Sequence, residues 1–436
     1  MSLPARRDEV STAAMARSSA TFAGQASWAL FDWANSPFPV LILTFVFPAY
    51  FASSIVGGQL RGQALWGYSL GLSGLLIALL SAPLGAIADA GGRRKSWILG
   101  FATVSMLATA LLWFAVPGRT SVILTLACVA VANATVSFNV MFSNAMLPDI
   151  VGADKLGRLS AWAWGLGYAG GLAALVVVLL AFIRPSTPPL GLDRTAAEHI
   201  RIVGPLVACW LGLFGWPLFL LTPDRPVRHL AFTGKLREGF AKLRHTLGNM
   251  RARRDLFLFL LANMLYEDGL VTLFAFSGIY VSGTFGMSLA EVALFGLVLN
   301  VAAGVGSFAS GWVDDHLGSR LTVILSLTGL IVAGAAAVSV QTRPWLWVTG
   351  CVLGIFVGPV QSSSRTFMAR MAPSDRQAEY FGLLTLSSKL TAFVGPTLAA
   401  LVTDATGSQR LGLATVLAFL TAGLLLLIWP LRADNG

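Results

Sequence analysis

Twelve mostly apolar stretches follow one another along the chain, at about residues 28–52, 64–88, 96–116, 121–146, 159–183, 202–221, 256–281, 289–312, 321–340, 345–368, 379–403 and 411–431. A helix of about 20 such residues crosses the hydrocarbon of a bilayer, where no water is available and backbone groups must bond within the segment. The fold class that follows is an all-α polytopic membrane protein with twelve transmembrane helices. Charged residues make up 11% of the chain, against roughly 25% in soluble domains.

The formal charge of +10 could suggest a nucleic-acid partner, but its placement argues otherwise. With the N-terminus inside, the inner segments hold 22 of the 30 Lys and Arg, nine of them between residues 222 and 254; seven lie outside and Lys389 lies within a span. The positive-inside rule then puts both termini in the cytoplasm. The expected setting is the bacterial inner membrane, with the lipid bilayer as partner and no nucleic acid; a monomer is the expected state. Cys128, Cys209 and Cys351 fall inside spans and imply no disulfide framework. Residues 1–26 lack the apolar core of a cleavable signal and read as a cytoplasmic tail, as do 432–436.

An internal repeat orders the spans. Setting Gly85 on Gly311 places Asp89 on Asp315, Gly92 on Gly318 and Arg94 on Arg320, with Arg93 in the same basic loop. A second echo sets Ala153-Asp154-Lys155 on Ser374-Asp375-Arg376. Both fit a six-plus-six duplication: one bundle at 27–221, a basic linker at 222–254 and a second bundle at 255–431. The repeated loops are candidate conformational switches. In the linker, Leu236, Phe240, Leu243, Leu247 and Met250 recur at steps of three and four, predicting an amphipathic helix on the anionic inner leaflet; the alternative is a solvated linker. Gly67, Gly71 and Gly74 predict a closely approaching neighbour for span two. Gly165, Gly167, Gly170 and Gly171 predict tight packing of span five against Ala303, Ser307 and Gly311 of span eight.

The twelve spans, the duplication, the central basic loop and the Gly-x-x-x-Asp-x-x-Gly-Arg-Arg-Lys loop together resemble the major facilitator superfamily. Ser27-Trp-Ala-Leu-Phe-Asp32-Trp-Ala-Asn35-Ser and Leu43-Thr-Phe-Val-Phe-Pro48-Ala-Tyr-Phe resemble its vacuole-effluxer-like branch, as do Tyr266-Glu-Asp268-Gly269, Gly358-Pro-Val-Gln361-Ser-Ser-Ser-Arg365 and Glu379-Tyr-Phe-Gly382. The chain departs from that pattern at Pro37, Pro39 and Glu267. The resemblance implies two pseudo-symmetric six-helix bundles, with spans one, four, seven and ten lining a central path. It also implies a secondary transporter, whose fungal relatives export amino acids from the vacuole. The expected function is therefore proton-coupled efflux of a small polar solute by alternating access, amino acids included. Alternatives are import of a peptidoglycan fragment or other metabolite, export of a drug or metal ion, and a membrane scaffold or sensor on the same fold.

Polar residues inside spans are costly and usually face a watery path. The candidates are Asp32 and Asn35 in span one, Asn139 and Asn144 in span four, Glu267 and Asp268 in span seven, Gln361 and Arg365 in span ten, and Lys389 in span eleven. Glu267 and Asp268 point about 100° apart on a helix, and Gly269 favours Asp268 for the path. Either could pair with Lys389 while the other exchanges protons. Asp32 lies near the cytoplasmic end, where capping or locking competes with proton coupling. Arg365 either clamps an anionic solute or snorkels to the surface. No phosphate-binding loop and no metal-ligand spacing occurs, so no enzyme activity, cofactor or metal is expected, and protons or another coupling ion supply the energy.

Overall fold

A computed structural model describes residues 20–118, 122–226, 232–248, 253–287 and 289–428. Among them, twelve helices are long and apolar enough to cross a membrane, numbered here as spans one to twelve: Phe22–Ile55, Ala64–Gly91, Lys95–Phe114, Val122–Ile150, Ala153–Ile183, Glu198–Leu221, Arg254–Gly278, Leu294–Leu317, Ser319–Ser339, Arg343–Met371, Gln377–Thr406 and Gln409–Ile428. The tail expected at 432–436, and most of that at 1–26, lies outside the described residues; span one already begins at Phe22, where Gly24 N donates to the Thr21 hydroxyl at 3.2 Å. Large apolar side chains point outward along the spans, for example Leu79, Leu107, Leu213 and Leu425. Such a surface is stable in lipid and not in water. The chain is an integral membrane protein.

Spans one, three, four and six pack chiefly within the first half and spans seven, nine, ten and twelve within the second, while the halves meet most closely where span two packs on span eleven and span five on span eight, with spans four and ten adding to the seam. An even number of crossings puts both chain ends and the linker on one face, called the terminal face below. The linker forms a helix, Phe232–Gly248, that packs against span two. Its Leu243 and Thr246 are buried whereas Phe240 and Leu247 are exposed. Protein therefore covers one side of the expected amphipathic helix; Met250 lies outside the described residues.

Two spans are interrupted. In span one the α-helix ends at Asn35 and continues as π-helical turns at Phe38–Phe45 and Phe51–Ile55. Proline lacks an N–H and its ring crowds the preceding turn, so Pro37, Pro39 and Pro48 cannot hold a regular helix; the Val46 amide reaches Leu41 O at 3.2 Å instead. Span eleven breaks between Leu390 and Val394, beside Lys389. Discontinuous helices in transporters expose backbone groups where a pathway can use them.

The glycines divide in a way their spacing does not reveal. A Cβ at Gly67, Gly71 or Gly74 would meet nothing within 4 Å, so the expected close neighbour of that stretch is absent. Spacing gives periodicity but not which face a neighbour covers. Gly165 and Gly311 do serve the seam between spans five and eight, against Phe308 and Arg158, whereas Gly167, Gly170 and Gly171 face span one. A Cβ at Gly306 would lie 1.9 Å from the backbone oxygen of Ile355. Gly306→Val is therefore expected to destabilise the protein by about 1–3 kcal/mol through overpacking, and Gly71→Val by much less. Thermal unfolding of both variants in detergent measures the difference, and equal midpoints would contradict this packing.

Candidate functional site

Arg365 joins the two halves. It projects from span ten into the first bundle, is 3% exposed, and has the rings of Trp28 and Trp164 centred 5.0 and 5.6 Å from its guanidinium carbon. One Nη donates to Asp32 Oδ2 at 2.8 Å and to Asn144 Oδ1 at 3.0 Å; Nε donates to the Ser160 hydroxyl at 2.8 Å, and the other Nη to the Ser160 carbonyl. The Ser160 hydroxyl in turn donates to Ser362 O at 2.8 Å. Of the two roles open to Arg365 in the sequence, snorkelling does not occur. Trp28 is itself fixed by its indole N–H on Ser143 O at 2.8 Å.

Above this pair a cavity of about 1140 Å³ extends toward the face opposite the termini, from Ser36, Trp164, Gly167 and Tyr168 out to Ser53 and Arg184. Its remaining lining is mostly apolar. Trp164 thus separates the cavity from Arg365, and Tyr168 ties the floor to the second bundle by donating to Gln361 Oε1 at 2.7 Å. Glu267 interacts electrostatically with both Lys389 and Tyr168, and among the described residues it forms no ion pair with Lys389. Neither Glu267 nor Asp268 lines this cavity. Asp268 is 2% exposed and packed between spans seven and eleven, its backbone carbonyl 2.7 Å from where a Gly395 Cβ would stand. Gly269 does not free its neighbour for the path; it admits Phe419 and Leu420 of span twelve.

The other predicted residues are distributed more widely. Asn35 donates to Phe31 O within its own helix at 2.8 Å, and Asn139 is fully buried with neither amide atom bonded. The sequence reading missed Trp28, Ser160, Tyr168 and a network in the second bundle. In that network the Tyr266 hydroxyl meets Ser364 Oγ at 2.6 Å and Asn263 Oδ1 at 2.9 Å, while Asn263 Nδ2 donates to Ser387 and Ser388. The motif containing Tyr266 was visible, but not its partners from spans ten and eleven.

The repeated loops close the terminal face. Asp315 accepts from Gly157 N at 2.8 Å and from the Arg158 side chain at 2.7 Å; Asp89 accepts from Glu379 N at 2.8 Å. A carboxylate at a helix N-terminus satisfies free amides and the end charge of the helix. Arg94 is buried and pairs with Asp89 at 3.2 Å and Asp149 at 2.7 Å; burial pulls its pKa down and Asp89 pushes it back up. Its sequence mate Arg320 instead donates to Leu427 O, at 2.7 Å. Gly85 and Gly382 permit this contact, since a Cβ on either would strike the facing backbone of Ala378 or Ser81.

The model of the family described as vacuole effluxer Atg22-like matches residues 52–436. The chain belongs to that family. A relative spanning nearly the whole chain is the MFS-type transporter YxiO of Bacillus subtilis, 26% identical over 92% of this chain and 93% of that protein. Autophagy-related protein 22-1 of Aspergillus fumigatus is 25% identical over 62% of this chain and 48% of its own length; the chain thus spans about half of that fungal relative. Among solved structures, the human organic anion transporter MFSD10 superposes with a TM-score of 0.73 at 16% identity, covering 93% and 99% of the two chains. A bacterial homologue of the iron transporter ferroportin, in an outward-facing state, gives 0.69 at 14% identity, covering 93% and 98%. At such identities these likenesses speak for the fold alone; the family match and the likeness to YxiO make the protein a transporter of the major facilitator type.

Asp32→Asn leaves the Arg365 charge desolvated without a counter-ion, and is expected to destabilise the protein by about 3–5 kcal/mol. The double variant Asp32→Asn with Arg365→Gln should recover part of that loss. A double-mutant cycle from thermal unfolding reads the coupling, and additive effects would show that the pair does not hold the halves together.

Proposed function

We propose that this chain is a proton-coupled carrier that exports a small solute bearing a carboxylate, with amino acids carrying apolar side chains as the class that fits best. One observation carries the reading: a largely apolar cavity ends on a Trp164–Tyr168 floor directly over a desolvated Arg365–Asp32 pair. A solute carboxylate that displaces Trp164 meets the guanidinium and competes with Asp32 for it, since a planar guanidinium pairs strongly with carboxylates. The apolar walls suit an apolar side chain. The positive-inside distribution supports assigning the terminal face to the cytoplasm. The conformation described is then closed inward with its cavity facing out, the release state of an exporter. Asp32 released from Arg365 is free to bind a proton. Glu267, beside Lys389 and Tyr168, is the second candidate proton carrier, and Asp268 has a structural role between spans seven and eleven. The apolar walls equally favour a larger amphipathic organic anion, the second reading.

Proteoliposomes test this with a panel of radiolabelled amino acids and organic anions. Arg365→Gln is expected to lower counterflow of the accepted carboxylates by about a hundredfold, in line with truncating one partner of a buried charge pair. Glu267→Gln should keep counterflow and lose solute-driven proton movement, while Asp268→Asn should retain both at reduced stability. Counterflow at the normal rate in Arg365→Gln would remove the anion-binding role.

A further inference from the structure

The two halves of the terminal-face closure are related by the internal repeat, and their hydrogen bonds show the correspondence in detail. Ser81 Oγ donates to Gly382 O at 2.8 Å, and Ser307 Oγ donates to Ala161 O at 3.0 Å. Asp89 caps the start of span eleven through Glu379 N, and Asp315 caps the start of span five through Gly157 N and Arg158 N. In these registers Glu379 stands where the other half has Arg158. Arg158 is a cation paired with its aspartate at 2.7 Å. Glu379 is a carboxyl group close enough to Asp89 to be repelled by it.

Glu379 is also 0% exposed, and neither of its carboxyl oxygens has a hydrogen-bond partner. The Thr246 hydroxyl of the linker helix faces it, and the charged groups that face it are engaged elsewhere. Lys242 of the linker helix pairs with Glu238 at 3.0 Å. Arg376 donates to the hydroxyl of the linker's Thr246 at 3.1 Å, adjoins His245 of the same helix, and lies 3.8 Å from Asp375. Arg94 of the adjoining loop is taken up by Asp89 and Asp149. An ionised carboxylate with only the Thr246 hydroxyl of the linker helix as a nearby donor, buried beside a second carboxylate, is disfavoured, and neutralisation is the usual escape.

We propose that Glu379 is a proton-binding site of the terminal-face gate, protonated while the gate is shut and releasing its proton to water when spans two and eleven part. The O–H bond of the carboxyl group breaks as water reaches it, and the proton leaves to the solution on the terminal face. One latch of the gate, Arg158 with Asp315, is then a permanent ion pair, and the other, Glu379 with Asp89, holds only when protonated. Acid on the terminal face favours closure, and closure weakens as the pH rises, because the shut state binds one proton more than the open state. The proposal gives the gate a place in the exporter cycle described above, but its pH response needs no solute. Failure here would leave the Arg365 reading untouched, and failure of Arg365→Gln to impair transport would leave this proposal standing.

The experiment is a spin-label distance measurement across the gate on the full chain in nanodiscs, without solute. Cys128, Cys209 and Cys351 are replaced by Ser, and labels are placed at Ser96→Cys and Ser374→Cys, both exposed positions on the terminal face. The ratio of open to shut populations is expected to rise by up to about tenfold per pH unit between about pH 5.5 and pH 8.5, the limit for one linked proton. Glu379→Gln should remain shut across that range, and so should Glu379→Arg, which restores the cation of the other half and serves if the Gln variant folds poorly. His245→Gln should keep the normal response. A flat response in the unsubstituted protein, or one of normal size in Glu379→Gln, would overturn the proposal.

Discussion

The guanidinium of Arg365 belongs to one bundle and is satisfied largely by the other. Buried beside two tryptophans with its donors on Asp32, Asn144 and Ser160, it cannot leave the first bundle without losing charge-assisted bonds in a site that water does not readily reach. Desolvated pairs of this kind contribute modestly to net stability but cost heavily when one partner is removed. They suit a contact that must be either wholly made or wholly replaced. The seam between the halves, the floor of the cavity and the placement of Trp28 and Trp164 all depend on it.

Around that contact the protein uses backbone rather than side chains to close its terminal face. Gly85 and Gly382 let spans two and eleven touch main chain to main chain, and Gly311 does the same for span eight against span five. Each contact ends in an aspartate on a helix N-terminus. Smooth, small-residue seams can part and re-form without repacking large side chains, as rocking bundles require. The opposite half of the structure is built differently. There, π-helical turns in span one and mostly apolar walls leave room, because three prolines deny that segment a regular hydrogen-bond ladder.

Much of this was legible beforehand. Apolar length alone counted the spans, since hydrocarbon demands self-satisfied helices. The matched loops Gly85–Arg94 and Gly311–Arg320 pointed to the duplication. Gly269 suggested a path beside Asp268, whereas the neighbour it admits is span twelve. The roles of Trp28, Ser160 and Tyr168 were not visible, since a tryptophan or serine in an apolar run reads as packing until its partner is known. Glu379 was legible only as part of a motif; its opposition to Asp89 depends on two spans far apart in sequence.

The sequence by itself determined the class of solvent, the number of crossings, the internal repeat and the inventory of charges that must be reconciled inside a membrane. These follow from local rules of length, spacing and composition, because a helix in lipid is stable by its own hydrogen bonds. Only the tertiary structure decided which charges meet. Arg365 finds Asp32 across 333 positions of chain, and Glu379 N finds Asp89 across 290. Those outcomes depend on the rotation of each helix about its axis, which packing sets and periodicity does not.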